Sequence, residues 1–183
     1  MWIVRDRGEI EAIERKRALV GTYVDRSYSR DRIKWILDAK TGFDIHADDA
    51  RHLLVPVREG YVVDSWPRPG DYGVQLAAAI IAHLDLAFTD LPCIVFRAED
   101  DEHFFLKLGG KTKEQFHEEI GLIADIARHC ANETVADGAA FRRYVNGQVA
   151  SHLRRRRMLS ATRSALPALG AILGGVVDFT ELV

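Results

Sequence analysis

Residues Cys93 to Gly109 read CIVFRAEDDEHFFLKLG. A mostly apolar run with β-branched and aromatic residues, CIVFRA, meets an acidic tetrad. A second apolar run, HFFLKLG, follows it. Apolar runs of this length, bounded by turn residues, are buried strands, and the tetrad between them is a hairpin tip. A similar pair lies upstream in HLLVPVREGYVVDSW, from His52 to Trp66. Its reversal is expected around Arg58–Gly60, and Pro56 points to an edge strand. Strands that arrive as hairpins predict an antiparallel or mixed sheet of about four strands packed with helices, the α+β class.

The helices are read outward from this sheet. Ile10, Ile13, Val20 and Val24 recur at helical spacing among charges and predict a helix from Glu9 to Val24. A second is expected from Arg30 to Ala39, carrying Trp35 and Ile36 and stopped by the glycine of KTGF. From Val74 to Phe88 only Gln75, His83 and Asp85 are polar, so this segment reads as a core helix, too short to span a bilayer. His83 is expected to be hydrogen-bonded in the core. Thr112 and Gln115 form a capping box that starts a helix running to about Cys130. Another begins at Asp137, with Gly147 as a weak point, and Pro167 separates a last apolar helix. The predicted organisation is a core domain over 1–136 and a helical region over 137–183, basic and then apolar.

Composition narrows the function. The 183 residues are 48% hydrophobic and 28% charged with a net charge of −2, which suits a globular chain and not a general polyanion binder. The charge is uneven. Between Gly138 and Val177 there is no acid, while Arg142, Arg143, Arg154, Arg155, Arg156, Arg157 and Arg163 are all positive. Asp85, Asp90, Glu99, Asp100, Asp101 and Glu102 form an acidic counterpart. Cys93 and Cys130 stand too far apart for a disulfide framework or a zinc spacing. Arg5, Asp6 and Arg7 interrupt any early apolar core, so a reducing, cytoplasmic location is expected.

Motifs that would carry chemistry fail at the positions that matter. LGGKT, Leu108 to Thr112, stands between a strand and a helix as a phosphate loop would, yet the first loop glycine is replaced by Phe105. A tight turn and a helix cap explain it better. The acids Glu99, Asp100 and Asp101 with His103 or Lys107 outline a metal-dependent nuclease, but an acid is required where Phe105 stands. HADDARH offers His46, Asp48, Asp49 and His52 as ligands for a divalent metal, but Asp48 and Asp49 read more simply as first-turn acids at a helix start. His129 beside Cys130 adds a nucleophile pair only if the fold brings them together. Cys93 reads as a small hydrophobe in a strand. No catalytic residue, metal site or cofactor is assigned.

What remains is SHLRRRRMLSATRSALPALGAILGG, Ser151 to Gly175. The apolar stretch from Ala165 to Val177 is too short to span a membrane. Four arginines in succession point all round a helix, and aromatic residues for stacking on bases are sparse nearby. The expectation is a non-catalytic accessory subunit that docks on a protein partner or a second copy of itself. Arg154, Arg155, Arg156, Arg157, Arg163, Leu169, Ile172 and Leu173 would form the contact. The alternatives are a nucleic-acid-binding protein or nuclease that grips the backbone with the arginine run, and attachment to an anionic membrane surface.

Overall fold

The strands are Trp2–Val4 (β1), Leu19–Val24 (β2), Arg51–Pro56 (β3), Cys93–Arg97 (β4) and His103–Lys107 (β5). They form one mixed sheet in the order β1-β3-β2-β4-β5. The computed structural model describes residues 1–26, 29–39, 50–62, 66–97, 103–133 and 137–172, with 157–172 described by backbone alone. β3 runs parallel to both β1 and β2, and β2–β4 and β4–β5 are antiparallel. The α+β class with a mixed sheet is therefore observed, with five strands among the described residues where about four were expected. The hairpin read from Cys93–Gly109 is β4–β5, with Val95 opposite Phe105.

The helices are Arg7–Glu14 (α1), Arg30–Asp38 (α2), Val74–His83 (α3), Lys113–Glu133 (α4) and Gly138–Ile172 (α5). α1 and α3 cover one face of the sheet: Ile10 and Ile13 cluster with Val4, Val20 and Leu54, and Leu76 and Ile80 pack against them. Farther along this face Ile81 joins Val24, Cys93 and Val95. α4 lies on the opposite face, where Arg51, out of phase with Leu54, donates 2.8 Å to the carbonyl of Ala124. Two compact units divide the chain, Met1–Val149 and Ala150–Val183. Among the described residues no helix is long and apolar enough to cross a membrane.

Several expectations are corrected. The helix expected over Glu9–Val24 ends at Glu14, and Leu19–Val24 is a strand buried along its whole length. A strand covered on both faces loses its alternation, so the spacing of its valines mimics a helix. β3 is internal rather than an edge: Pro56 ends it in register with Val4 of β1. Among the described residues no second strand follows the turn expected around Arg58–Gly60, and residues 63–65 of that prediction lie outside them. Val57 after β3 forms an isolated bridge with Tyr72. α3 is not a core rod, since Ala78, Ala79 and Ala82 are exposed and Ala77 and Ile81 face the sheet. It stops in a Schellman turn, with Leu86 N donating to Ile81 O and Asp85 at φ 49°, a conformation aspartate tolerates. The backbone of α5 continues through Gly147 and Pro167.

Candidate anion-binding cleft

Ligands of open sheets with parallel strands bind beyond the strands' carboxyl ends, where loops and helix starts converge. In this chain the ends of β1 and β3 lead into Arg5-Asp6-Arg7 and Val57-Arg58-Glu59-Gly60. With the start of α3, Tyr72 to Leu76, they line a cleft of about 1020 Å³. A second concavity of about 460 Å³, lined by Arg30, Arg58, Arg68 and Asp71, shares Arg58 with it. Both belong to the unit Met1–Val149.

Each arginine is held by a local partner. Asp6 caps α1 by accepting 2.9 Å from Glu9 N, and the Glu9 carboxylate accepts from the backbone and guanidinium of Arg5. That hydrogen bond holds the Glu9 carboxyl below its usual range and raises the guanidinium of Arg5. Arg7 pairs with Glu11 at 3.4 Å and donates to His83 Nε2 at 2.7 Å. Arg58 pairs with Asp71 at 3.3 Å, and Asp71 also accepts from Arg68 N at 2.9 Å. The Arg5, Arg7 and Arg58 pairs are partly exposed, and such pairs contribute only about 0–1 kcal/mol, so an incoming anion can displace the carboxylates.

The wall opposite the arginines is the start of α3. No side chain caps it among the described residues, and its first turn, Val74-Gln75-Leu76, has no acid, so its positive dipole end is open to the cleft. Gly73 makes this placement possible. A Cβ there would lie 2.3 Å from the Val57 carbonyl oxygen, so only glycine lets the helix start press against the end of β3. Tyr72, a lining residue, accepts 2.8 Å at its Oη from Asp25 N and donates 3.3 Å to Asp25 O, while Tyr23 Oη donates 3.2 Å to the Asp25 carboxylate. Burial and the charge of Asp25 push both phenols above their ordinary range, so they stay protonated and Tyr72 is held in a fixed hydrogen-bonded group behind the cleft wall.

The residues singled out from sequence are distributed elsewhere. Glu99, Asp100, Asp101 and Glu102 lie outside the described residues, as do His46, Asp48 and Asp49. Lys107 on β5 pairs with Asp90 at 2.6 Å, and His103 begins the same strand. His52 is not on a helix: it is buried in β3, where Trp2 Nε1 donates to its Nδ1 at 2.9 Å. His83 is exposed rather than in the core. His129 is exposed and pairs with Glu133 at 3.0 Å, while Cys130 is buried. The turn-and-cap reading of LGGKT holds: Thr112 and Gln115 exchange hydrogen bonds, and Gly110 sits at φ 77°. Arg154 and Arg155 are exposed and Arg156 is half-buried. The side chains of Arg157, Arg163, Leu169 and Ile172, and all of Leu173, lie outside the described residues. Among the described residues no three His, Cys, Asp or Glu side chains gather as a metal site would require.

Sequence reasoning missed Arg5, Arg7, Arg58 and Gly73. The available signal was an arginine within two residues of the end of each of two separate strands and a glycine opening an uncapped helix. No protein-family model matches the chain, and comparison with curated proteins and with solved structures gives no match.

Proposed function

We propose that the protein is a non-catalytic binding protein whose ligand carries a phosphate group, held in the cleft at the carboxyl edge of β1 and β3. The observation that carries this reading is the meeting of Arg5, Arg7 and Arg58 with the uncapped start of α3 around one open volume. Guanidinium forks match phosphate oxygens, and backbone N–H groups at a helix start supply further donors without side-chain reorganisation. The lining residue Tyr72 is protonated and hydrogen-bonded to the buried Asp25, which favours rigid support over proton transfer. A cytoplasmic location is part of the proposal, and two buried free thiols suit a reducing compartment. Thermal unfolding with inorganic pyrophosphate tests the reading against sodium chloride at matched ionic strength. At a hundredfold excess over Kd the melting temperature should rise by about 5–10 °C. An unchanged melting temperature contradicts it.

The exposure of Arg154 and Arg155 favours a second proposal, that the C-terminal segment docks the protein on a protein partner or a second copy. Deleting residues 165–183 should then lower the mass seen by size-exclusion with light scattering. An unchanged mass in the truncated chain counts against docking between copies.

A further inference from the structure

Between α1 and α3 the sheet is not fully covered. A slot of about 60 Å³ opens there, walled by the aliphatic side chains of Ile10, Leu76, Ala79, Ile80, Leu84 and Val95. Arg7 and Leu76 line both this slot and the arginine cleft, so the two volumes adjoin through the same pair of side chains. The lining also includes the Glu14–Arg97 ion pair at 3.1 Å and Thr22, which is 5% exposed. Arg7 spans from α1 to α3 by its 2.7 Å contact with His83, also a lining residue. A guanidinium has no acceptor, so the imidazole nitrogen accepts here.

Resting on the phosphate reading of the cleft, we infer that the ligand is amphiphilic. Its phosphate lies among Arg5, Arg7 and Arg58, and a short hydrocarbon portion enters the slot past Leu76. Leu76, Ala79 and Ile80 offer apolar surface to a hydrocarbon portion, and the slot shares Arg7 and Leu76 with the cleft where the anion would sit. Its size sets the length of the hydrocarbon portion. A slot of about 60 Å³ takes a short hydrocarbon portion, of up to about four carbons. A phospholipid tail is much longer, so the source is a soluble short-chain phosphate monoester and not a bilayer lipid.

Calorimetric titration of the full chain with inorganic phosphate and with methyl, ethyl, butyl and hexyl phosphate tests this. Affinity should rise about fourfold per added methylene up to butyl and then level off, as apolar burial predicts. Ala79→Phe, which fills the slot from an exposed position on α3, should abolish the chain-length gain. Equal affinities for methyl and butyl phosphate, with inorganic phosphate still binding, overturn the amphiphile inference and leave the cleft reading standing. No binding by any member of the series overturns the cleft reading itself. Co-sedimentation with phosphatidic acid vesicles should show no binding, and capture by the vesicles overturns the short-chain assignment.

Discussion

Arg58→Ala is the perturbation whose consequences follow most fully from the structure. Arg58 leaves the end of β3 and is common to both concavities, so its loss removes a donor from each. A hydrogen bond to a charged group contributes about 1.5–3 kcal/mol. The side chain is 61% exposed, which places the expected loss near the lower end, about tenfold in pyrophosphate affinity. Asp71 loses its guanidinium partner and then repels the ligand, adding to the loss in the same direction. The fold should hardly notice: the exposed pair contributes at most about 1 kcal/mol, and Arg58 N still donates 2.8 Å to the Asp71 carbonyl. Arg58→Lys keeps the charge without the planar fork and should fall between the two. The assays are calorimetry at fixed ionic strength and urea unfolding. An affinity within twofold of the unmodified protein would refute the reasoning, as would an equal loss from Arg154→Ala.

Gly73→Ala forces a Cβ against the Val57 carbonyl and should destabilise by about 1–3 kcal/mol in urea unfolding. Gly121→Ala on α4 meets open space and should stabilise by up to about 1 kcal/mol in the same measurement. The Cys93 thiol is buried and pushed up to about 12, so iodoacetamide at pH 8 should label it only as fast as the protein unfolds; rapid labelling without denaturant would contradict its burial. Burial raises the Glu14 carboxyl above its ordinary value of 4.5, against the pull of Arg97. The folded state then binds the proton more tightly than the unfolded chain, so this contribution to stability falls as pH rises from about 4.5 through the raised value. Glu9 works the other way: its lowered carboxyl contributes above about 4.5 and the contribution disappears as pH falls through the folded value. Urea unfolding from pH 3 to 8 should show the Glu14 limb flattened in Glu14→Gln and the Glu9 limb flattened in Glu9→Gln.

How much of this was legible in the sequence depended on the length scale of each signal. The β4–β5 hairpin and the Thr112–Gln115 capping box are local, and both stand where the residue pattern put them. β1 spans only three residues, and β2 is buried along its whole length, so neither shows the alternation of a half-exposed strand. Pro56 pointed to an edge because prolines are rare inside sheets, yet it ends the internal strand β3. The cleft was illegible for a different reason. Arg5 and Arg58 are distant in sequence, and only the parallel pairing of β1 with β3 sets the residues that follow these strands side by side. The arginine run at Arg154–Arg157 was conspicuous because its charges are consecutive, whereas Arg5, Arg7 and Arg58 are dispersed.

The central claim, that phosphate is held at the start of α3, is tested most directly by amide chemical-shift mapping during titration with inorganic pyrophosphate. The account predicts saturable shifts concentrated on the backbone N–H groups of Gln75 and Leu76 and on Arg58, with Arg154 to Arg156 unmoved. Shifts confined to the arginine run, or none that saturate, would contradict it.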